Sequence, residues 1–283
     1  MDAVRRLGRP TLRAPRAILA FEGWNDACDA ASGAAAYLVG QHDPAPFALI
    51  EPEDFYDFQA NRPTVEIDEG GTRRLTWPAT RFYAIEMPGG PADVVVVTGQ
   101  EPNLRWKTYT RLIAQVLAET DVDLVITLGA FIGQVAHTLP VPIVGIATDP
   151  ELVDRYRLPT SHYEGPTGIV GVMLEACREM GIPAVSLWAA TPHYLAANPN
   201  PKAMLALVDK ACEIVNIDVD TAELTKVAHE FEGRVDEAMN RSGEFADYVR
   251  RLEEGADTPG PAFDPGSTGG QLISEIEEWL KDR

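Results

Sequence analysis

The chain has 283 residues, 43 of them acidic and 24 basic, for a formal net charge of −19. A surface this negative repels phosphate backbones, so nucleic acid is excluded as the expected partner. Apolar residues at 45% and charged ones at 24% are ordinary globular usage, and this length suits a main domain with a smaller appendage.

The N-terminus carries Arg5, Arg6, Arg9, Arg13 and Arg16 ahead of the apolar run Ala17 to Phe21, which ends at Glu22 and is too short for a signal peptide. No stretch approaches the ~18 to 20 apolar residues of a membrane helix, so neither membrane nor export is expected. Further buried-strand runs follow at Phe47 to Ile50, Val94 to Val97, Leu124 to Leu128, Ile143 to Ile146 and Val185 to Trp188. Continuous apolar runs suit strands covered on both faces, which predicts an α/β layered fold around a mainly parallel sheet. Amphipathic stretches predict helices over Asp26 to Val39, Leu104 to Thr120, Thr167 to Met180 and Lys202 to Val215. Thr64 to Asp68 and Thr72 to Trp77 flank Gly70-Gly71 and read as an inserted β-hairpin, exposed or forming an interface.

From Asp218 to Asp257 the chain counts 12 acidic and 5 basic residues and few strand formers, the composition of an acidic helical extension. Leu224, Val227, Phe231, Val235, Ala238, Phe245, Tyr248 and Leu252 recur near helical spacing, so one face docks while the acidic face stays in water. Residues 255–270 are rich in Pro and Gly and read as a linker before a final helix over Gln271 to Leu280. The domain reading is therefore 1–217 for the α/β body and 218–283 for the extension. Cys28, Cys177 and Cys212 form no short-spaced pair, which fits small core residues in a reducing cytoplasm.

Familiar catalytic signatures are missing. The five histidines form no metal-ligand pair, and neither a nucleophile elbow, a P-loop nor a dinucleotide-binding glycine pattern occurs, so no metal and no cofactor are expected. What remains is a set of polar clusters after the expected strands, where open α/β sheets place their ligands. Trp24, Asn25 and Asp26 follow the first; Asn25 or Asp26 has the chemistry of a helix cap. Glu101, Arg105 and Trp106 follow the valine run, and Glu101 and Arg105 stand four apart, either an ion pair or a ligand clamp. His137 and Thr138 follow the next strand, then Tyr163, Glu164 and Thr167 ahead of a helix, then His193 and Tyr194.

Read together, Gly23-Trp24-Asn25-Asp26-Ala27, the Gly99 to Trp106 stretch, His137-Thr138 followed by Pro-Val-Pro, Tyr163 to Gly168, and Ser186 to Tyr194 resemble the proteasome assembly chaperone 2 family, in its long bacterial branch. The resemblance implies a three-layer α/β/α sandwich of phosphorylase/hydrolase-like topology and self-association, with a trimer among the assemblies. It implies protein binding and no known reaction. Leu139 stands where the family would carry a basic residue, and Lys281-Asp282-Arg283 lacks the hydrophobic-Tyr-x ending used by some proteasome partners.

Two functions follow as expectations. One is a homo-oligomeric, non-enzymatic, assembly-chaperone-like protein whose partner is another protein. The alternative is a small-molecule-binding protein or hydrolase-type enzyme with these side chains converging on a strand-end pocket.

Overall fold

Uninterrupted apolar strands need cover on both faces, and the computed structural model meets that need with an eight-stranded sheet between two layers of helices. It describes residues 3–68, 70–159, 161, 163–196, 199–241 and 243–255. The strands are β1 (Val4–Arg6), β2 (Arg16–Glu22), β3 (Pro46–Ile50), β4 (Thr64–Ile67), β5 (Arg73–Thr76), β6 (Thr80–Ile85), β7 (Val94–Gln100), β8 (Leu124–Gly133), β9 (Ile143–Ala147) and β10 (Ala184–Pro192). The main sheet has the order β1-β3-β6-β7-β2-β8-β10-β9, and β4 pairs with β5 alone.

β7, β2, β8 and β10 run parallel at the centre. The flanks, β1-β3-β6 against β7 and β9 against β10, are antiparallel. A mainly parallel sheet therefore holds for the centre only. The link from β6 to β7 is too short for a parallel crossover, which needs a dozen or more residues.

The helices are α1 (Ala30–Gly40), α2 (Trp106–Glu119), α3 (Pro150–Arg155), α4 (Ile169–Glu179), α5 (Pro201–Val215), α6 (Ala222–Met239) and α7 (Gly243–Glu254). Strand side chains alternate between two cores. Ile18, Ala20, Val94, Val96, Ile126 and Leu128 pack with α1 and α5 on one face. Ala17, Leu19, Phe21, Val95, Val97 and Val125 pack with α2 and α4 on the other. The result is a three-layer α/β/α sandwich with an inserted hairpin and C-terminal helices.

β1, β6 and α3 have no counterpart in the sequence reading; β1 and α3 are short, and β6 mixes Arg81 and Tyr83 with its apolar residues. The first helix begins at Ala30 rather than Asp26, because Cys28 and Asp29 adopt left-handed φ values of 57° and 49° that an α-helix does not tolerate. The acidic extension divides into α6 and α7, and both pack onto the body. Phe231, Val235, Met239 and Val249 form a third core with Ala136, Tyr194 and Leu195 of the body. Burying each such side chain contributes roughly 1.5–3 kcal/mol. The expected linker beyond Gly255 and the helix over Gln271 to Leu280 lie outside the described residues. Among the described residues no helix is long and apolar enough to cross a membrane.

Candidate functional site

Because β2, β7, β8 and β10 are parallel, their carboxyl ends share one edge of the sheet, and the segments that follow them meet there. The first meeting point is centred on Glu101. Gly23, at φ 123°, turns the chain after β2 and brings Trp24, Asn25 and Asp26 beside the end of β7. The backbone amide of Glu101 donates to the Glu22 carbonyl at 2.8 Å. Its Oε1 accepts from Asn25 Nδ2 at 2.8 Å and from the amide of Ile169, the first residue of α4, also at 2.8 Å. Gly168, the N-cap of α4, has no side chain to cap with, so a carboxylate from another segment caps this helix and meets its positive end. A Cβ on Gly168 would lie 2.4 Å from the Asn25 amide, so only glycine allows this approach.

Asn25 is fully buried, and the amide of Ala130 in β8 donates to its carbonyl at 2.8 Å. Asp26 Oδ1 accepts from the amides of Ala31 and Ser32 at 2.8 and 3.0 Å, so Asp26 does cap α1. Burial pushes its carboxyl above the usual carboxylate range. The expected Glu101–Arg105 pair does not form. Arg105 takes φ 54° and α2 begins only at Trp106, so the two residues never share a helix. Arg105 Nη1 instead donates to Asp54 Oδ1 at 2.8 Å. Trp106 is half-buried on the α2–α4 core, its ring nitrogen donating to the Pro102 carbonyl at 2.6 Å.

Around this buried base the loops present aromatic side chains to solvent. Trp24 is 61% exposed and Tyr163 is 63% exposed, with Leu104 also open. Tyr163 is steadied locally by donating to the Pro166 carbonyl at 3.0 Å, and Glu164 and Thr167 lie exposed beside it.

The second meeting point gathers His137, Thr138, His193 and Tyr194 after β8 and β10, and α6 and α7 roof it. The His137 amide donates to the Tyr194 hydroxyl oxygen at 2.9 Å, and that hydroxyl lies 2.8 Å from Nδ1. Nε2 lies 3.0 Å from Asp236 Oδ1 on α6. One assignment satisfies all three contacts: Tyr194 donates to Nδ1, and the proton on Nε2 is donated to Asp236. Burial pushes the His137 imidazole below its ordinary value and outweighs the opposing pull of Asp236. Burial also lowers His193, whose Nε2 lies 3.0 Å from the Tyr248 hydroxyl on α7. Thr138 donates to Glu253 at 2.5 Å, and Lys202 bridges the His137 carbonyl at 2.5 Å and Glu232 at 2.7 Å.

His137, Leu139, Pro142, Lys202, Phe231 and Glu232 help line a recess of about 10 Å³, room for about one water. The two clusters therefore share an edge but divide the expected residues between them. The first offers a solvent-facing aromatic rim on a buried polar base, and the second is an internal seam. Cys28, Cys177 and Cys212 are buried and unpaired, and burial holds their thiols at about 11, about 12 and about 12, inert as nucleophiles at neutral pH.

Sequence reasoning passed over Lys202, Glu232, Asp236 and Glu253, and placed Tyr248 on the docking face of the extension without seeing its partner His193. Lys202 carried a signal, since a lysine in the first turn of a helix opposes the macrodipole and needs an anionic partner. The acids of α6 and α7 looked like any solvated face, and nothing local marked which of them turn inward.

The family model described as the PAC2 family matches residues 20–239, and the chain belongs to that family. A PAC2 family protein from Streptomyces avermitilis is 45% identical, covering 83% of this chain and 99% of its own, at a TM-score of 0.78. A proteasome-assembly chaperone homologue from Mycobacterium tuberculosis is 42% identical over 82% of this chain and 99% of its own, at 0.76. An uncharacterised protein of Methanocaldococcus jannaschii is 28% identical over 207 residues, 70% of this chain and 71% of its own.

Proposed function

We propose that this member of the PAC2 family is an assembly-chaperone-like protein of the cytoplasm that binds a partner protein through the aromatic rim and acts as a homo-oligomer, a trimer being the favoured assembly. The body over 1–217 would carry the rim, and the extension over 218–283 would brace the neighbouring seam. The observation that supports this most is the rim itself. Trp24 and Tyr163 are largely exposed, yet their loops spring from the Asn25–Glu101–Ile169 network. Large aromatics held on a rigid base lose little entropy on binding, and Trp and Tyr are enriched at interface hot spots. Kinship with a proteasome-assembly chaperone homologue makes proteasome α-subunits the first partners to try.

The test co-expresses the full chain with the α- and β-subunits of a proteasome from its native host and measures complex formation by affinity capture and calorimetry. Wild-type protein is expected to bind an α-subunit or an assembly intermediate. Truncating a hot spot costs about 2 kcal/mol or more, so Trp24→Ala with Tyr163→Ala should weaken binding more than tenfold while the melting curve stays in place. Unchanged affinity in the double variant overturns the rim as the binding surface. Absence of any complex with the wild-type chain overturns the proteasome partner.

A further inference from the structure

Cys28 and Asp29 lie between the loop that carries Trp24 and helix α1, and both hold left-handed backbone, at φ 57° and 49°. Residues with a Cβ avoid that region, and two in a row persist only where their surroundings fix them. The hold comes from far along the chain. The Asn200 amide donates to the Cys28 carbonyl at 2.9 Å, and the buried Cys28 Sγ lies 3.4 Å from the Leu195 carbonyl and 3.5 Å from Thr191 Oγ1. All three anchors belong to the end of β10 or to the stretch after it.

The extension holds that same stretch. Tyr194 and Leu195 pack with Phe231, Val235, Met239 and Val249, and the Tyr248 hydroxyl reaches His193. Asn200 caps α5 by accepting from the amides of Lys202 and Ala203, and Lys202 in turn donates to Glu232 on α6. The Trp24 loop is thus fixed on one side by Glu101 and on the other by a segment that α6 and α7 roof.

We propose that the docked extension sets the rim: α6 and α7 hold the left-handed Cys28–Asp29 pair through Leu195 and Asn200, and so hold Trp24 ready for a partner, while their release slackens the loop. The inference rests on the rim reading above for what Trp24 does, and on contacts within the chain for the coupling. Docked and released extension are the two states that such coupling needs. Coupling is reciprocal, so a partner seated on Trp24 tightens the extension by the factor with which the extension tightens the partner. Asn25 keeps its bond to Glu101 in both states, which holds the factor to about tenfold, inside the usual range of roughly 5- to 150-fold.

Hydrogen exchange on the full chain tests this. Phe231→Ala removes a buried contact of the extension, so α6 and α7 should exchange faster. The hydrogen-bonded amides of Asp26, Asp29 and Ala31 should then exchange several-fold faster with them, while α2 stays as in wild type. With a proteasome α-subunit of the native host as the probe, the same variant should bind about tenfold more weakly, and the bound subunit should slow exchange in α6 and α7. Cys28→Gly with Asp29→Gly accepts left-handed angles without strain, and in that background Phe231→Ala should change exchange at Asp26 and Ala31 less than twofold. If Phe231→Ala does not fold, Glu232→Gln with Tyr248→Phe loosens the extension through its polar contacts alone. Unchanged exchange in the Trp24 loop beside a loosened extension overturns the coupling and leaves the rim reading standing. An effect that persists in full in the double-glycine background overturns the left-handed pair as its carrier. An extension no looser in any of these variants overturns the seam as its hold. Coupled exchange in a chain that binds no subunit supports the coupling and counts against the rim reading.

Discussion

The Glu101 cluster and the His137 cluster arise from the same sheet edge and reach opposite ends. Around Glu101 the polar groups turn inward and the aromatics outward: a carboxylate joins β7, the turn after β2 and the start of α4, leaving Trp24 and Tyr163 in solvent. Around His137 the aromatics turn inward, with Tyr194 fully buried and the ring contacts of His193 with Tyr194 and Tyr248 at 5.3 and 5.6 Å. There α6 and α7 supply the cover and the polar partners. The difference lies in what the chain adds after the sheet is built. A strand-end cluster left bare is available for recognition, and one that receives its own helices becomes an attachment point.

The sharpest way to break this contrast is Glu101→Ala. It strips the cap from α4 and leaves the Asn25 and Ile169 donors unpaired, at about 1–3 kcal/mol for each buried group left unsatisfied. Urea unfolding should show a loss of about 3 kcal/mol, and a change under about 0.5 kcal/mol would mean that water replaces the carboxylate and the base is not buried as described. Gly168→Ala comes next. Its Cβ must displace the Asn25 amide, and overpacking of this kind costs about 1–3 kcal/mol. The same measurement should give about 2 kcal/mol, where Gly→Ala at an unstrained site would be neutral or stabilising.

The smallest effect is local and reads the seam. Burial lowers the folded-state pKa of His137, so the folded state binds this proton less readily than the unfolded chain does. The contribution of His137 is therefore fully present above the unfolded value near ~6.5 and is lost as pH falls from there through the folded value. Protonating Nδ1 would also set a donor against the Tyr194 hydroxyl. Buried His193 shifts in the same direction. Asp26 in the other cluster has the opposite sign: its raised pKa relieves strain as pH falls. Hydrogen exchange at pH 5.5 and 7.5, corrected for intrinsic rates, should show α6 and α7 losing several-fold more protection than α1 in acid. His137→Gln should flatten that difference. Equal responses in all three helices would remove His137 as the seam's sensitive point.

Much of the fold was legible because its signals are local. The valine run of β7, the alternation of β4 and β5 around Gly70-Gly71, and the Pro201 start of α5 each announce an element within a few residues. β1 and β6 were not: β1 is a three-residue edge strand with two exposed positions, and β6, although it lies between β3 and β7, interleaves Arg81 and Tyr83 with its apolar residues and so lacks a continuous apolar run. The membership of the site was legible in part. Trp24, Glu101, His137 and His193 follow β2, β7, β8 and β10, whose carboxyl ends lie together because those strands are parallel; the Tyr163 segment follows antiparallel β9 and is tied to this edge through the start of α4. The partners were not. Glu101 stands four residues from Arg105 and joins not that residue but a helix that begins 68 positions later.

By itself the amino-acid sequence determined the layered α/β architecture, the family and the positions where loops would meet, since hydrophobic period, turn chemistry and motif content are properties of neighbouring residues. Which carboxylate caps which helix, which histidine is covered and which aromatic stays in water were decided only in three dimensions. Those outcomes depend on distances between segments far apart in the chain, and no local pattern encodes a distance.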